Sequence, residues 1–152
     1  MPEYRAAVDL PCLRRDVFDF VSRPANLVNL LASSVSNFEY RLPEKLEVGS
    51  RLQFCLHRFG MKIELVHEVV ELVDLERITL NQRQGPFRHW FHEYSFSDPG
   101  TGQTRLTERV HFERPGGMLG LMVTNAKLLE QLNKYIPRGH LLLREQLTSS
   151  AG

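Results

Sequence analysis

The sequence predicts an α+β fold, a mostly antiparallel sheet of about seven strands with its helices segregated to one face. Three observations carry this reading. Apolar residues alternate in repeated short runs from Phe38 to Phe112, which is the period of half-buried strands. Short connections containing glycine, proline or aspartate separate the runs, as hairpins require. The last long stretch, Met118 to Leu147, switches to helical spacing.

The elements follow in chain order. Tyr4 to Leu10 reads as a first strand stopped by Pro11, because proline has no N–H for a sheet ladder. Leu13, Val17, Phe20 and Val21 lie near helical spacing, so Arg14 to Val21 is a short helix. Pro24 suits the first turn of a second one, marked by Leu27, Leu30 and Leu31. After Ser33 the period becomes two: Phe38, Tyr40 and Leu42 alternate, then Leu52, Phe54 and Leu56, then Ile63, Leu65, His67 and Val69. Gly60 allows a tight hairpin between the last two runs. Asp74-Leu75-Glu76 turns the chain into Ile78 to Gln84, and Gly85-Pro86 interrupts before Phe87 to Ser97. Asp98-Pro99-Gly100-Thr101-Gly102 is the strongest turn signal and leads into Thr104 to Arg114. Pro115-Gly116-Gly117 ends the strands. Met118 to Leu147 then reads as one long helix, with a kink or break expected near Ile136 because Pro137 and Gly139 lie inside it. Residues 1–147 are expected to form one domain, and 148–152 a disordered tail.

Composition narrows the function classes. Nineteen Lys and Arg against 18 Asp and Glu leave a net charge of +1, too little for the basic patch of a nucleic-acid binder. No apolar run approaches a membrane span, and the N-terminal MPEYRAAVDL lacks a secretory-signal layout. Cys12 and Cys55 make no disulfide framework, so a reducing, cytoplasmic setting is expected. Six histidines and two cysteines show neither CxxC nor HExxH spacing, and no metal is expected. The chain has no GxSxG, GxGxxG or phosphate-cradling loop, so no cofactor is expected. Gly116-Gly117-x-x-Gly120 reads as a breaker and cap.

The chemistry-bearing segment is Gly85 to Phe96. On a strand Arg88, Trp90, His92, Tyr94 and Phe96 share one face, a row of large rings with polar tips that suits the wall of a partly wet cavity. His89, Phe91, Glu93 and Ser95 take the other. On the next strand Leu106, Glu108, Val110 and Phe112 share a face. If the hairpin aligns the apolar faces, Glu108 lies among inward aromatics, within reach of an Arg88 ion pair or a His92 hydrogen bond. A carboxylate beside an imidazole in an apolar pocket can transfer protons. The simpler reading is a buried pair that satisfies its own polarity. On the last helix Met122, Asn125 and Leu129 adjoin the face of Leu121, Leu128 and Leu132, with Asn125 a polar group for the cavity side and Met118 and Met122 adaptable packing.

The run Gly-Pro-Phe-Arg-x-Trp-x-His, the following acid-x-Val-x-aromatic strand and Pro-Gly-Gly before a long helix resemble the START-like (SRPBCC) superfamily. The polyketide cyclase/dehydrase and lipid-transport group, with its bacterial members of unknown function, is the most similar part. Leu10-Pro11, Asp16 to Val21 and Pro24-Ala25-Asn26-Leu27 resemble how these proteins begin. The resemblance covers Tyr4 to about Leu147. It implies a helix-grip fold: a curved antiparallel sheet around a C-terminal helix, with a deep hydrophobic cavity between them. Carried over by position, it places Trp90, His92, Tyr94, Phe96, Glu108 and Phe112 on the cavity side.

The function expected is binding of a small hydrophobic or amphipathic ligand, such as a lipid, isoprenoid or polyketide-like aromatic. Arg88, Trp90, His92, Tyr94, Phe96, Glu108, Val110, Phe112, Phe54, Met122, Asn125 and Leu129 are its expected contacts. An alternative is a cyclase or dehydratase in which His92 moves a proton, Glu108 orients it and Tyr94 polarises a carbonyl. A third is an interaction protein that uses its sheet edge or outer face, for which the sequence names no partner.

Overall fold

Alternation in the sequence becomes one continuous sheet. The computed structural model describes residues 1–31, 38–58 and 60–150. The strands are β1 (Glu3–Leu10), β2 (Phe38–Arg41), β3 (Arg51–Arg58), β4 (Met61–Val73), β5 (Arg77–Gln84), β6 (His89–Ser97) and β7 (Thr104–Glu113). They lie in the order β1-β7-β6-β5-β4-β3-β2, with every neighbouring pair antiparallel. The curved, open sheet is a meander from β2 to β7, which β1 joins at the β7 edge. The change of period after Ser33 falls in residues 32–37, outside the described residues.

The helices are α1 (Arg14–Val21), α2 (Pro24–Leu31), α3 (Gly117–Met122) and α4 (Asn125–Ser150). The expected single helix from Met118 is therefore two. Val123 is extended, with φ −112° and ψ 95°, and Thr124 restarts the helix by accepting the Lys127 N–H on its side-chain oxygen. By contrast, α4 runs unbroken through Pro137. Tertiary contacts hold it on both sides: Tyr4 Oη donates to Asn133 four residues before the proline, and His140 bonds Glu108 three residues after it. The helix also continues through Ser150, into the stretch expected to be a tail, where the Thr148 hydroxyl donates to the Arg144 carbonyl. Residues 151 and 152 lie outside the described residues.

The core gathers Leu10, Val17, Phe18, Val21, Ile78, Phe96 and Leu106 from the sheet and α1, with Leu143 and Leu147 from α4. α4 thus packs against β1 and α2, with Leu143 and Leu147 in the core. Among the described residues no helix is long and apolar enough to cross a membrane.

Candidate functional site

Between the sheet and the helices lies a cavity of about 810 Å³. Strand alternation builds most of its wall. Leu52, Phe54 and Leu56 on β3 stand opposite His67, Leu65 and Ile63 on β4, and β6 continues the surface with Trp90, His92 and Tyr94. The roof comes from Leu27 and Val28 of α2, Leu119 and Met122 of α3, and Leu128, Gln131 and Tyr135 of α4. Trp90 packs its ring centroid 4.7 Å from Phe87, 5.9 Å from Phe112 and 6.5 Å from His67.

The structure divides the expected contacts. Phe54, Trp90, His92, Tyr94 and Met122 line the cavity. Phe96, Glu108, Val110 and Phe112 face the same side of the sheet but do not line it. Leu143 and Leu147 of α4 join Phe96 and Leu106 in the core, where Phe96 packs edge-on against Phe18 at 5.0 Å, and Phe112 and Val110 are fully buried. Arg88 precedes β6, is largely exposed and stands 3.8 Å from Glu113, so the Arg88–Glu108 pair is not formed. Arg88 and Asn125 instead line a separate hollow of about 580 Å³ beside Arg114 and Gly116. Leu129 also lies off the cavity wall. The break at Val123 resets the helical phase, bringing Leu128, Gln131 and Tyr135 inward in place of Asn125 and Leu129. Met118, expected to pack adaptably, is 81% exposed.

Glu108 is the centre of the polar end. His92 Nε2 lies 2.8 Å from its Oε1 and His140 Nε2 lies 2.5 Å from its Oε2. Burial pushes the carboxyl up, but the hydrogen bonds from His140 and then His92, reinforced by their charges, hold it down at about 2. Tyr94 stacks on His92 at 4.6 Å and 10°. Burial, then the Glu108 charge, pushes its phenol well above the usual range. His67 on the cavity wall is pulled down to about 4, first by burial and then by His92. Trp90 Nε1 is buried with no hydrogen-bond partner among the described residues. Among the described residues no group of three His, Cys, Asp or Glu side chains is placed to hold a metal ion.

His140 is the site residue that sequence reasoning missed. Its signal was present: His140, Leu143 and Leu147 recur on one helical face, so a histidine occupies a core position. His67 was equally legible, in alternation with Ile63 and Leu65.

No protein-family model and no curated protein matches the sequence. Solved structures do match the fold. A protein of Thermus thermophilus superposes with a TM-score of 0.73 at 20% identity, over 99% of this chain and 100% of that one. A START superfamily protein from Mycobacterium smegmatis gives 0.68 at 12% identity over 97% of each chain. The ZhuI aromatase/cyclase of a Streptomyces species gives 0.69 at 12%, over 99% of this chain and 93% of that one. The chain shares their helix-grip fold.

Proposed function

We propose that the protein binds a small hydrophobic or amphipathic molecule, a lipid, isoprenoid or polyketide-like aromatic, in the cavity between sheet and helices. The observation that carries this reading is the wall itself. The cavity is about 810 Å³ in volume and lined mainly by Leu, Ile, Val and aromatic side chains, with His67 and His92 on the sheet side and Lys127, Glu130 and Gln131 on α4 as its polar groups. That size and composition match small-molecule sites, where apolar contact supplies affinity and a few polar groups fix orientation. His67 and His92 are the groups on hand to orient a polar head. The likeness in fold to an aromatase/cyclase and to a START superfamily protein supports the reading. Unpaired Cys12 and Cys55 fit a cytoplasmic carrier.

Native mass spectrometry on protein purified from its own cells, followed by organic extraction, tests this. A stoichiometric apolar ligand is expected. Protein that carries none, and that leaves the fluorescence of its single tryptophan unchanged when titrated with hydrophobic probes, would overturn the reading.

A further inference from the structure

The hollow of about 580 Å³ beside the turn from β7 into α3 shares only Pro115 with the wall of the hydrophobic cavity. Its arginines differ from others on the surface. Arg15, Arg77, Arg83 and Arg105 each bond a carboxylate, with Asp74, Glu71, Glu68 and Asp9 as partners. Arg88 and Arg114, which line the hollow, do not. Arg88 comes no closer than 3.8 Å to Glu113, an ion pair without a hydrogen bond. Arg114 has no acidic partner among the described residues, and one of its N–H groups reaches the Gly120 carbonyl at 3.5 Å.

Both guanidinium groups lie against backbone that itself lines the hollow. Arg114 rests on Gly120, and Arg88 lies over Gly116, where a Cβ would stand 2.8 Å from its Nη2. A guanidinium carries five N–H donors and no acceptor. Arg88 spends none of these on a described residue, and its side chain is 63% exposed, so the donors are within reach of a ligand. Asn125, at the start of α4, adds a side-chain amide to the same hollow. Against these donors stands one carboxylate, that of Glu113.

A hollow rich in donors and short of acceptors suits an anion. A carboxylate has two oxygens and satisfies a single guanidinium fork; two guanidinium groups and an amide match the three acceptor oxygens of a phosphate monoester. Leu121 lines the hollow as well, yet it is 80% exposed, and Met118 on the same helix is 81% exposed. Apolar side chains so placed mark interaction sites. They leave two sources for the phosphate, a soluble compound or the headgroup of a lipid.

We propose that Arg88, Arg114 and Asn125 form a phosphate-binding site, separate from the hydrophobic cavity and independent of what the cavity holds. Arg114 donates its free N–H groups to the phosphate oxygens. Arg88 exchanges its loose contact with Glu113 for direct bonds to the anion, and the Asn125 amide donates to a remaining oxygen. Glu113 limits the affinity by repelling the bound charge.

Inorganic pyrophosphate, followed by isothermal titration calorimetry, tests the soluble source. Phosphatidylcholine vesicles with and without phosphatidate, followed by co-sedimentation, test the lipid source. Pyrophosphate should bind with a Kd under about 1 mM at physiological salt. Arg88→Ala and Arg114→Ala should each weaken it at least about tenfold, the scale of a lost hydrogen bond between charged groups. Glu113→Gln should tighten it by about threefold. Arg83→Ala removes the same charge from β5 and should change it by less than about twofold. If pyrophosphate does not bind but vesicles do only when they hold phosphatidate, with the same dependence on Arg88 and Arg114, the site stands and its phosphate is a lipid headgroup. If neither probe binds, or if binding is unchanged in Arg88→Ala and Arg114→Ala, the proposal is overturned and the cavity reading is untouched. Loss of binding in Arg83→Ala to the same degree also overturns it, because the attraction would then be that of net charge alone. Thermal melts check that each variant is folded; if Arg88→Ala is not, Arg114→Ala decides.

Discussion

Trp90 stands in the cavity wall, packed among Phe87, His67 and the buried Phe112. Truncation to alanine should cost about 3 kcal/mol, since the wall relaxes only partly around the gap. Urea denaturation measures this, and a loss under about 1 kcal/mol would mean that the indole is not packed as described. His67 makes a different prediction. Its pKa is lowered from the ordinary 6.5 to about 4, so the fold holds the neutral ring and the unfolded chain takes up the proton first. Its contribution is complete above pH 6.5 and is lost as pH falls towards 4, up to about 3 kcal/mol. In His67→Leu this loss should vanish from the stability–pH curve. Glu108, depressed from 4.5 to about 2, acts in a lower window, losing its contribution as pH falls from 4.5 to 2.

Gly120 lets α3 fold back on the end of β7. A Cβ at this position would lie 2.0 Å from the Pro115 carbonyl oxygen, a backbone atom that has nowhere to go. Gly120→Ala should therefore destabilise the protein by about 1–3 kcal/mol despite alanine's better helix propensity, and should weaken hydrophobic-probe binding by displacing Leu119 and Met122. Thermal melts and a probe titration read both effects. Pro137 predicts the opposite sign. It sits inside an unbroken α4 and withholds the N–H that would bond the Asn133 carbonyl. Pro137→Ala should stabilise by about 1–2 kcal/mol, the regained bond and propensity being offset by a freer unfolded chain. A loss of stability would show that the helix depends on the proline's geometry.

For the molecule as a whole, the proposed binding predicts that ligand raises stability by mass action. A hydrophobic probe at about 100 times its Kd should add about 2.7 kcal/mol, provided that it binds only the folded chain. Differential scanning calorimetry with and without probe checks this.

Strand and helix boundaries were largely legible because the signal for them is local. Trp90, His92 and Tyr94 reach one wall through simple alternation, and so do Phe54, Leu65 and His67. The residues that fall outside the cavity do so for one reason. Facing direction alone assigns Arg88, Asn125 and Leu129 to the cavity, and Phe96, Glu108, Val110 and Phe112 to its wall. Facing inward says nothing about what lies across the gap. That depended on where α4 crosses the sheet, and the phase of α4 depended on the break at Val123. Period and parity, set by neighbouring residues, were enough to foretell a seven-stranded sheet and its inward face. The meeting of His140 with Glu108 across 32 residues, and the division of that face into cavity and core, arise only when the helix is packed over the sheet, because contacts between distant segments leave no period in the chain.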